Sequence, residues 1–136
     1  TKTTYTVEND LGINYVTKQA PFIPRYRSLF QIYYSTWQKV WDINITLQVV
    51  GPSRVPMQGD TGEFWSDSFY HLDGQITRRF KKFDWYLGVE NALNYMQPNP
   101  IRGVENPFSD NFDAGMVWGP TMGRFMFTGI RLNIKN

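Results

Sequence analysis

The stretch Trp41-Asp42-Ile43-Asn44-Ile45-Thr46-Leu47-Gln48-Val49 alternates without a break, apolar at every odd position and polar at every even one. A helix would repeat its apolar residues every three or four positions; a period of two belongs to a strand with unlike faces. Trp41, Ile43, Ile45, Leu47 and Val49 then share one face, and Asp42, Asn44, Thr46 and Gln48 the other. The pattern returns in Phe83-Asp84-Trp85-Tyr86-Leu87-Gly88-Val89-Glu90, where Phe83, Trp85, Leu87 and Val89 fall together. It returns again in Met126, Thr128, Ile130, Leu132 and Ile134, opposite Phe127, Gly129, Arg131, Asn133 and Lys135. Weaker alternation runs from Tyr5 to Val16, from Arg25 to Ser35 and from Tyr70 to Phe80. The reading is six strands. Several span about ten residues, longer than the roughly five or six of soluble sheets and close to the roughly 9–11 that cross a bilayer.

The connections between these strands are unequal. Short links fall at Thr36-Trp37-Gln38 and at Lys81-Lys82, while long loops run from Thr17 to Pro24, from Gly51 to Ser66 and from Asn94 to Gly123. The two longest hold most of the proline and glycine, including Pro52, Pro56, Gly59, Gly62, Pro98, Pro100, Gly103 and Pro107. Loops of this length are uncommon in compact domains unless they have a function. Short links at one end and long loops at the other is the layout of an outer-membrane barrel, with periplasmic turns and extracellular loops. Aromatic residues near strand ends, Tyr15, Tyr26, Tyr34, Trp37, Trp41, Phe80 and Phe83, suit the girdles at membrane interfaces. They also suit plain strand propensity. A soluble β-sandwich with one buried face would alternate in the same way, so a sandwich binding module stands as the alternative.

Composition narrows the chemistry. Among 136 residues, 14 Lys and Arg against 12 Asp and Glu leave a formal charge of +2, too balanced for a nucleic-acid binder. The chain has no Cys, which excludes disulfide scaffolds, thiol catalysis and cysteine-based zinc sites. His71 is the sole histidine, so no multi-histidine metal site exists. No apolar run exceeds three residues, far short of the roughly 20 a transmembrane helix needs. The opening Thr1-Lys2-Thr3-Thr4-Tyr5 has neither an initiator Met nor an apolar signal core, and the chain is expected to be a piece of something longer.

Other constellations carry weaker expectations. Asp60, Glu63 and Asp67 gather in one loop and Glu105, Asp110 and Asp113 in another, without the D-x-D-x-D-G pattern of a calcium loop, and no metal is expected. Asp84 and Glu90 share a strand face and are expected to pair with Arg25, Arg27, Arg79 or Arg131 rather than to act as acid and base. His71 and Asp73 alternate like a base and its orienter, but no Ser, Cys or second His completes a triad. No phosphate loop is present, and no enzyme or cofactor is expected. Ligand recognition belongs to the long loops, where Arg54, Trp65, Arg102, Phe112 and Trp118 are the candidate binding residues, with Met122 beside them. The competing reading of Phe112 and Trp118 is loop self-packing.

The C-terminal half carries a family resemblance. Tyr86-Leu87-Gly88-Val89-Glu90-Asn91-Ala92-Leu93-Asn94-Tyr95, followed by Gln97-Pro98-Asn99-Pro100-Ile101, resembles the Y-x-G-x-E-N-L-x-N-Y-x-Q-x-x-P-I segment of TonB-dependent outer-membrane receptors, with Ala92 where Leu is common. Asn106-Pro107-Phe108, Asn111-Phe112-Asp113-Ala114, Val117-Trp118-Gly119-Pro120, Gly123-Arg124 and Gly129-Ile130-Arg131 continue it. The likeness is specific from about Ser68 onward, fair from Arg25 and weak before.

The resemblance implies that residues 1–136 are the C-terminal part of an antiparallel transmembrane β-barrel, the last six or so strands of about 22, plugged by an N-terminal domain. Such a receptor sits in the outer membrane of a Gram-negative cell and imports a scarce nutrient: an iron chelate, haem, cobalamin, a glycan or a peptide. Its implied partners are outer-membrane lipid, the plug and remaining strands, TonB as the source of energy, and in some cases an extracellular lipoprotein. Six strands cannot close a barrel, since the smallest in outer membranes have about eight.

Overall fold

The computed structural model describes residues 2–9, 12–55, 64–110 and 112–134. Among these the chain is all-β and antiparallel. The strands are β1 (Lys2–Asn9), β2 (Gly12–Gln19), β3 (Arg27–Ser35), β4 (Trp41–Val50), β5 (Arg54–Val55), β6 (Phe64–Trp65), β7 (Phe69–Arg79), β8 (Phe83–Glu90) and β9 (Phe125–Leu132). Five of them form one sheet in the order β3-β4-β7-β8-β9, while β1-β2 and β5-β6 form separate hairpins. Within the described residues the sheet is open, with β3 and β9 as its edges.

Five of the six expected strands therefore stand, within a residue or two at most of their ends. The sixth does not. Tyr5 to Val16 is not one strand but parts of two, β1 and β2, paired from Lys2↔Gln19 to Asn9↔Gly12. Asn9-Asp10-Leu11-Gly12 carries three turn-favouring residues, and the weak alternation on either side conceals the reversal. The expected loop from Thr17 is correspondingly shorter, because β2 runs to Gln19. The expected loop from Gly51 to Ser66 contains the small hairpin β5-β6, whose two-residue strands are too short to show a period. The stretch between β8 and β9 is irregular, as expected, apart from one bridge between Arg102 and Asp113. β9 ends at Leu132, two residues before the last residue of the alternating pattern.

The register sorts the side chains of the sheet onto two faces. Ile32, Ile45, Gly74, Val89 and Met126 lie side by side across all five strands. The adjacent row is Tyr34, Ile43, Ile76, Leu87 and Thr128, and the next Trp41, Arg78, Trp85 and Ile130. The opposite face carries Tyr33, Asn44, Gln75, Gly88 and Phe127 in one row and Ser35, Asp42, Thr77, Tyr86 and Gly129 in the next. One face is thus nearly all apolar and the other mostly polar.

No second layer covers the apolar face among the described residues. Ile45, in the second strand of the sheet and at mid-height, is 42% exposed, and Ile32, Met126 and Ile130 are more than 60% exposed. The buried apolar residues Ala20, Val50, Val55, Phe69 and Met116 lie instead at the end where the long loops gather. The core is a cap of loops over one end of the sheet.

Candidate functional site

The long-loop end is held by backbone bonds between segments far apart in sequence. Phe22 N–H donates to the Arg54 carbonyl (2.9 Å), Arg25 to Pro52 (3.0 Å), and Gly51 to Tyr26 (2.9 Å). The Ser53 amide donates to Ser66 Oγ at 2.8 Å, closing the base of the β5-β6 hairpin. The first three of these bonds fix the loop before β3 against the loop after β4.

Three amide side chains organise the longer loop, residues 91–124. Asn91, buried at the end of β8, donates through Nδ2 to the carbonyls of Tyr95 (2.7 Å) and Met122 (3.0 Å) and accepts from the Tyr95 amide (3.1 Å). Its backbone is left-handed, with φ of 49°, a conformation Asn tolerates better than most residues. Asn94 Oδ1 accepts from the Arg124 amide at 2.8 Å. Gln97, also buried, donates to the Met116 carbonyl (2.7 Å) and accepts from the amides of Trp118 (2.8 Å) and Gly119 (3.0 Å). Phe69 stacks on Tyr95 with ring centroids 5.2 Å apart and meets Trp118 at 6.2 Å. The Asn, Gln and aromatic residues of the family-like segment thus act as internal ties, replacing the ladder bonds an irregular loop lacks.

The five candidate binding residues fall into three places. Arg102 and Trp118 meet in one cleft of about 220 Å³, lined also by Phe64, Asp67, Pro98 and Met116. Arg54 and Trp65 sit opposite each other across β5-β6. Arg54 Nε donates to the Gln19 carbonyl at 2.7 Å, and the Arg25 guanidinium lies 4.0 Å from the centre of the Trp65 ring. Phe112 lines neither place, and Met122 borders a separate recess with His71, Glu90 and Phe125. The packing of Trp118 on Phe69 fits the self-packing reading, although Trp118 also lines the cleft.

Asp67, Phe64 and Arg25 join these groups without having been singled out as binding residues. Asp67 appears only among the loop acids and Arg25 only among the cations of the polar face, because sequence gives no sign that two loops meet. The cleft offers two aromatic rings, one guanidinium and one carboxylate. Burial, and then the nearby Asp67 charge, raise the pKa of the Tyr95 hydroxyl above its ordinary value.

On the polar sheet face His71 Nε2 lies 2.9 Å from Asp73 Oδ1, which also accepts from the Asn91 amide at 3.1 Å. A recess of about 350 Å³ beside them is lined by Asn44, Thr46, Gln75, Glu90 and Phe127. Arg79 pairs with Asp42 rather than with Asp84 or Glu90. Asp84 lies in register between Arg79 and Arg131 and accepts from Asn133 Nδ2 at 3.3 Å, whereas Glu90 lies opposite Phe125. Six residues of strand separate these two carboxylates by about 20 Å, too far for acid and base to act on one bond. Asp60 and Glu63 lie outside the described residues. Within the described residues no three His, Asp or Glu side chains gather as a metal site.

Comparisons with protein-family models, with curated proteins and with solved structures found no match.

Proposed function

We propose that the chain is part of a transmembrane β-sheet, its apolar face toward lipid and its polar face toward the lumen of a barrel. Within that class, the reading is a segment of a TonB-dependent receptor, an outer-membrane transporter rather than an enzyme. What carries it is the uncovered apolar face: five strands present a continuous apolar surface with no second layer among the described residues. A soluble sandwich would bury that face beneath a second sheet, and leaving it in water would expose far more contiguous apolar area than soluble monomers tolerate. The short links at one end, the long loops at the other and the family-like segment from Tyr86 to Arg131 agree with this reading.

In lipid, each unpaired amide or carbonyl on the outer edges of β3 and β9 costs several kcal/mol. Further strands must therefore continue the sheet on both sides. The loop cap, with the cleft at Arg102 and Trp118 and the Arg25–Trp65 pair, then faces the cell exterior and receives the imported nutrient.

Membrane fractionation of cells producing the full-length protein tests the reading. The protein should sediment with outer membranes, require detergent for extraction and migrate faster on gels when unheated. Recovery in the soluble fraction without detergent refutes it and favours the sandwich.

A further inference from the structure

Arg78 is the only charged residue on the apolar face of the described five-stranded sheet. Trp41 and Trp85 flank it in register on the neighbouring strands. Its guanidinium lies 5.1 Å from the centre of the Trp41 ring and 4.8 Å from that of Phe80. Phe80 in turn stacks on Phe83 at 4.5 Å. No carboxylate shares this face. Asp42 and Asp84 lie on the opposite one, where Asp42 is taken by Arg79. Arg78 has no side-chain hydrogen bond or ion pair among the described residues. Exposed Lys81 and Lys82 follow in the next turn, and exposed Lys39 precedes Trp41 in the other short link.

A guanidinium beside two rings is attracted to their faces, and among the described residues its N–H donors stay unused. One step along β7 toward the long loops, the face is Ile43, Ile76 and Leu87. On a lipid-facing surface a cation is costly at mid-depth and nearly free at the interface, where Trp is also favoured. The row Trp41–Arg78–Trp85 therefore lies at headgroup level, at the end of the sheet with short links. The groups at that level that match a planar, unpaired guanidinium are phosphates, which it binds through two parallel hydrogen bonds. The neighbouring lysines add attraction for a net negative headgroup.

We propose that Arg78, braced by Trp41 and Phe80 and followed by Lys81 and Lys82, binds the phosphate of an anionic glycerophospholipid at the short-link end of the sheet. This rests on the membrane reading above.

The test uses full-length protein from outer membranes, exchanged into detergent with phosphatidylglycerol or phosphatidylcholine and examined for retained lipid by native mass spectrometry. Phosphatidylglycerol should be retained roughly fivefold better than phosphatidylcholine. Arg78→Gln should remove that preference. Arg78→Lys should keep part of it, and Lys81→Gln with Lys82→Gln should weaken it less than Arg78→Gln. Heat-modifiable mobility selects folded variant protein for the comparison. Folded Arg78→Gln protein with the wild-type preference overturns the site, as does wild-type protein without one. Inorganic phosphate displacing phosphatidylglycerol at millimolar concentration overturns the lipid as source. A protein that never enters membranes fails the membrane reading, whereas an inserted protein lacking headgroup preference fails this inference alone.

Discussion

Gly88 and Gly129 sit beneath aromatic rings on the polar face. A Cβ at Gly88 would collide with the Phe127 ring, and one at Gly129 with the end of the Tyr86 side chain. A Cβ at Gly74, on the apolar face, would meet Val89 Cγ1 at 3.7 Å and the Asn44 carbonyl oxygen at 4.0 Å, both ordinary contacts. Gly88→Ala should therefore destabilise the protein by about 1–3 kcal/mol, while Gly74→Ala should stabilise it by about 0.5 kcal/mol through lost chain entropy. Denaturant unfolding followed by tryptophan fluorescence measures both, and Phe127→Ala should abolish the penalty of Gly88→Ala. Gln97 ties three backbone groups at once, so Gln97→Ala should cost about 2–4 kcal/mol of loop stability. Limited proteolysis between residues 98 and 120 would show it, whereas Phe108→Ala, at a fully exposed tip, should leave cleavage unchanged. Tyr95 adds a pH dependence of known sign. Its hydroxyl is buried with no hydrogen-bond partner among the described residues, and its pKa is raised in the fold from 10.0. Its ionisation leaves stability unchanged below pH 10 and lowers it as pH rises from there through the raised value, because the unfolded chain ionises first. Tyr95→Phe should be neutral or stabilising and should remove that alkaline loss. The residue types of these ties were visible in the sequence as part of a familiar segment. Their role as internal props was not, because it depends on which carbonyl a folded loop presents.

At the scale of elements, alternation located β3, β4, β7, β8 and β9 because each must present one apolar and one polar face along its length. It failed at β1 and β2, where the period is weak and the signal lay in turn chemistry at Asn9 and Gly12. It was silent for β5 and β6, which two residues each define. The pairing of Arg54 with Trp65 and the cleft joining Phe64 to Trp118 depend on that small hairpin, and were illegible for the same reason. The strands themselves can be tested through β4. Ile45→Arg places a cation at mid-depth and should cost about 2–4 kcal/mol. Thr46→Arg, turned to the polar face beside Gln31 and Asp73, should cost far less. A sandwich would also penalise Ile45→Arg. The decisive variant is therefore Ile45→Gln with Leu47→Gln, whose amides would meet hydrocarbon without partners. It should reduce outer-membrane assembly of the full-length protein, read by heat-modifiable mobility, and normal assembly would count against lipid on that face.

At the scale of the molecule the two ends of the sheet differ in every respect. One end has the short links 36–40 and 80–82, a row of Trp and Phe, and Lys39, Lys81 and Lys82. The other has the loop cap that buries Val55, Phe69 and Met116. Nine residues from Trp41 to Val49 rise about 26 Å along β4, and barrel strands tilt by about 35–45°. The apolar band is thus roughly 20 Å tall before the aromatic rows at its margins are added, close to the band of about 25 Å in outer-membrane barrels. If the apolar face meets lipid as proposed, a sheet of this height would span the bilayer once per strand and its two ends would lie in different compartments. Short turns face the periplasm in such barrels and long loops the exterior. The cysteine-free background of residues 1–136 allows that direction to be read. Phe108, 99% exposed at the tip of the longest loop, and Lys81, exposed in a short link, mark the two ends. In a full-length protein carrying a single cysteine, Phe108→Cys should react with a membrane-impermeant maleimide on intact cells. Lys81→Cys should stay unlabelled until the outer membrane is permeabilised. Labelling of both sites on intact cells would mean that no membrane separates the ends. Labelling of Lys81→Cys alone would turn the sheet over and move the Arg102–Trp118 cleft to the periplasmic side, where it could not receive a nutrient from outside.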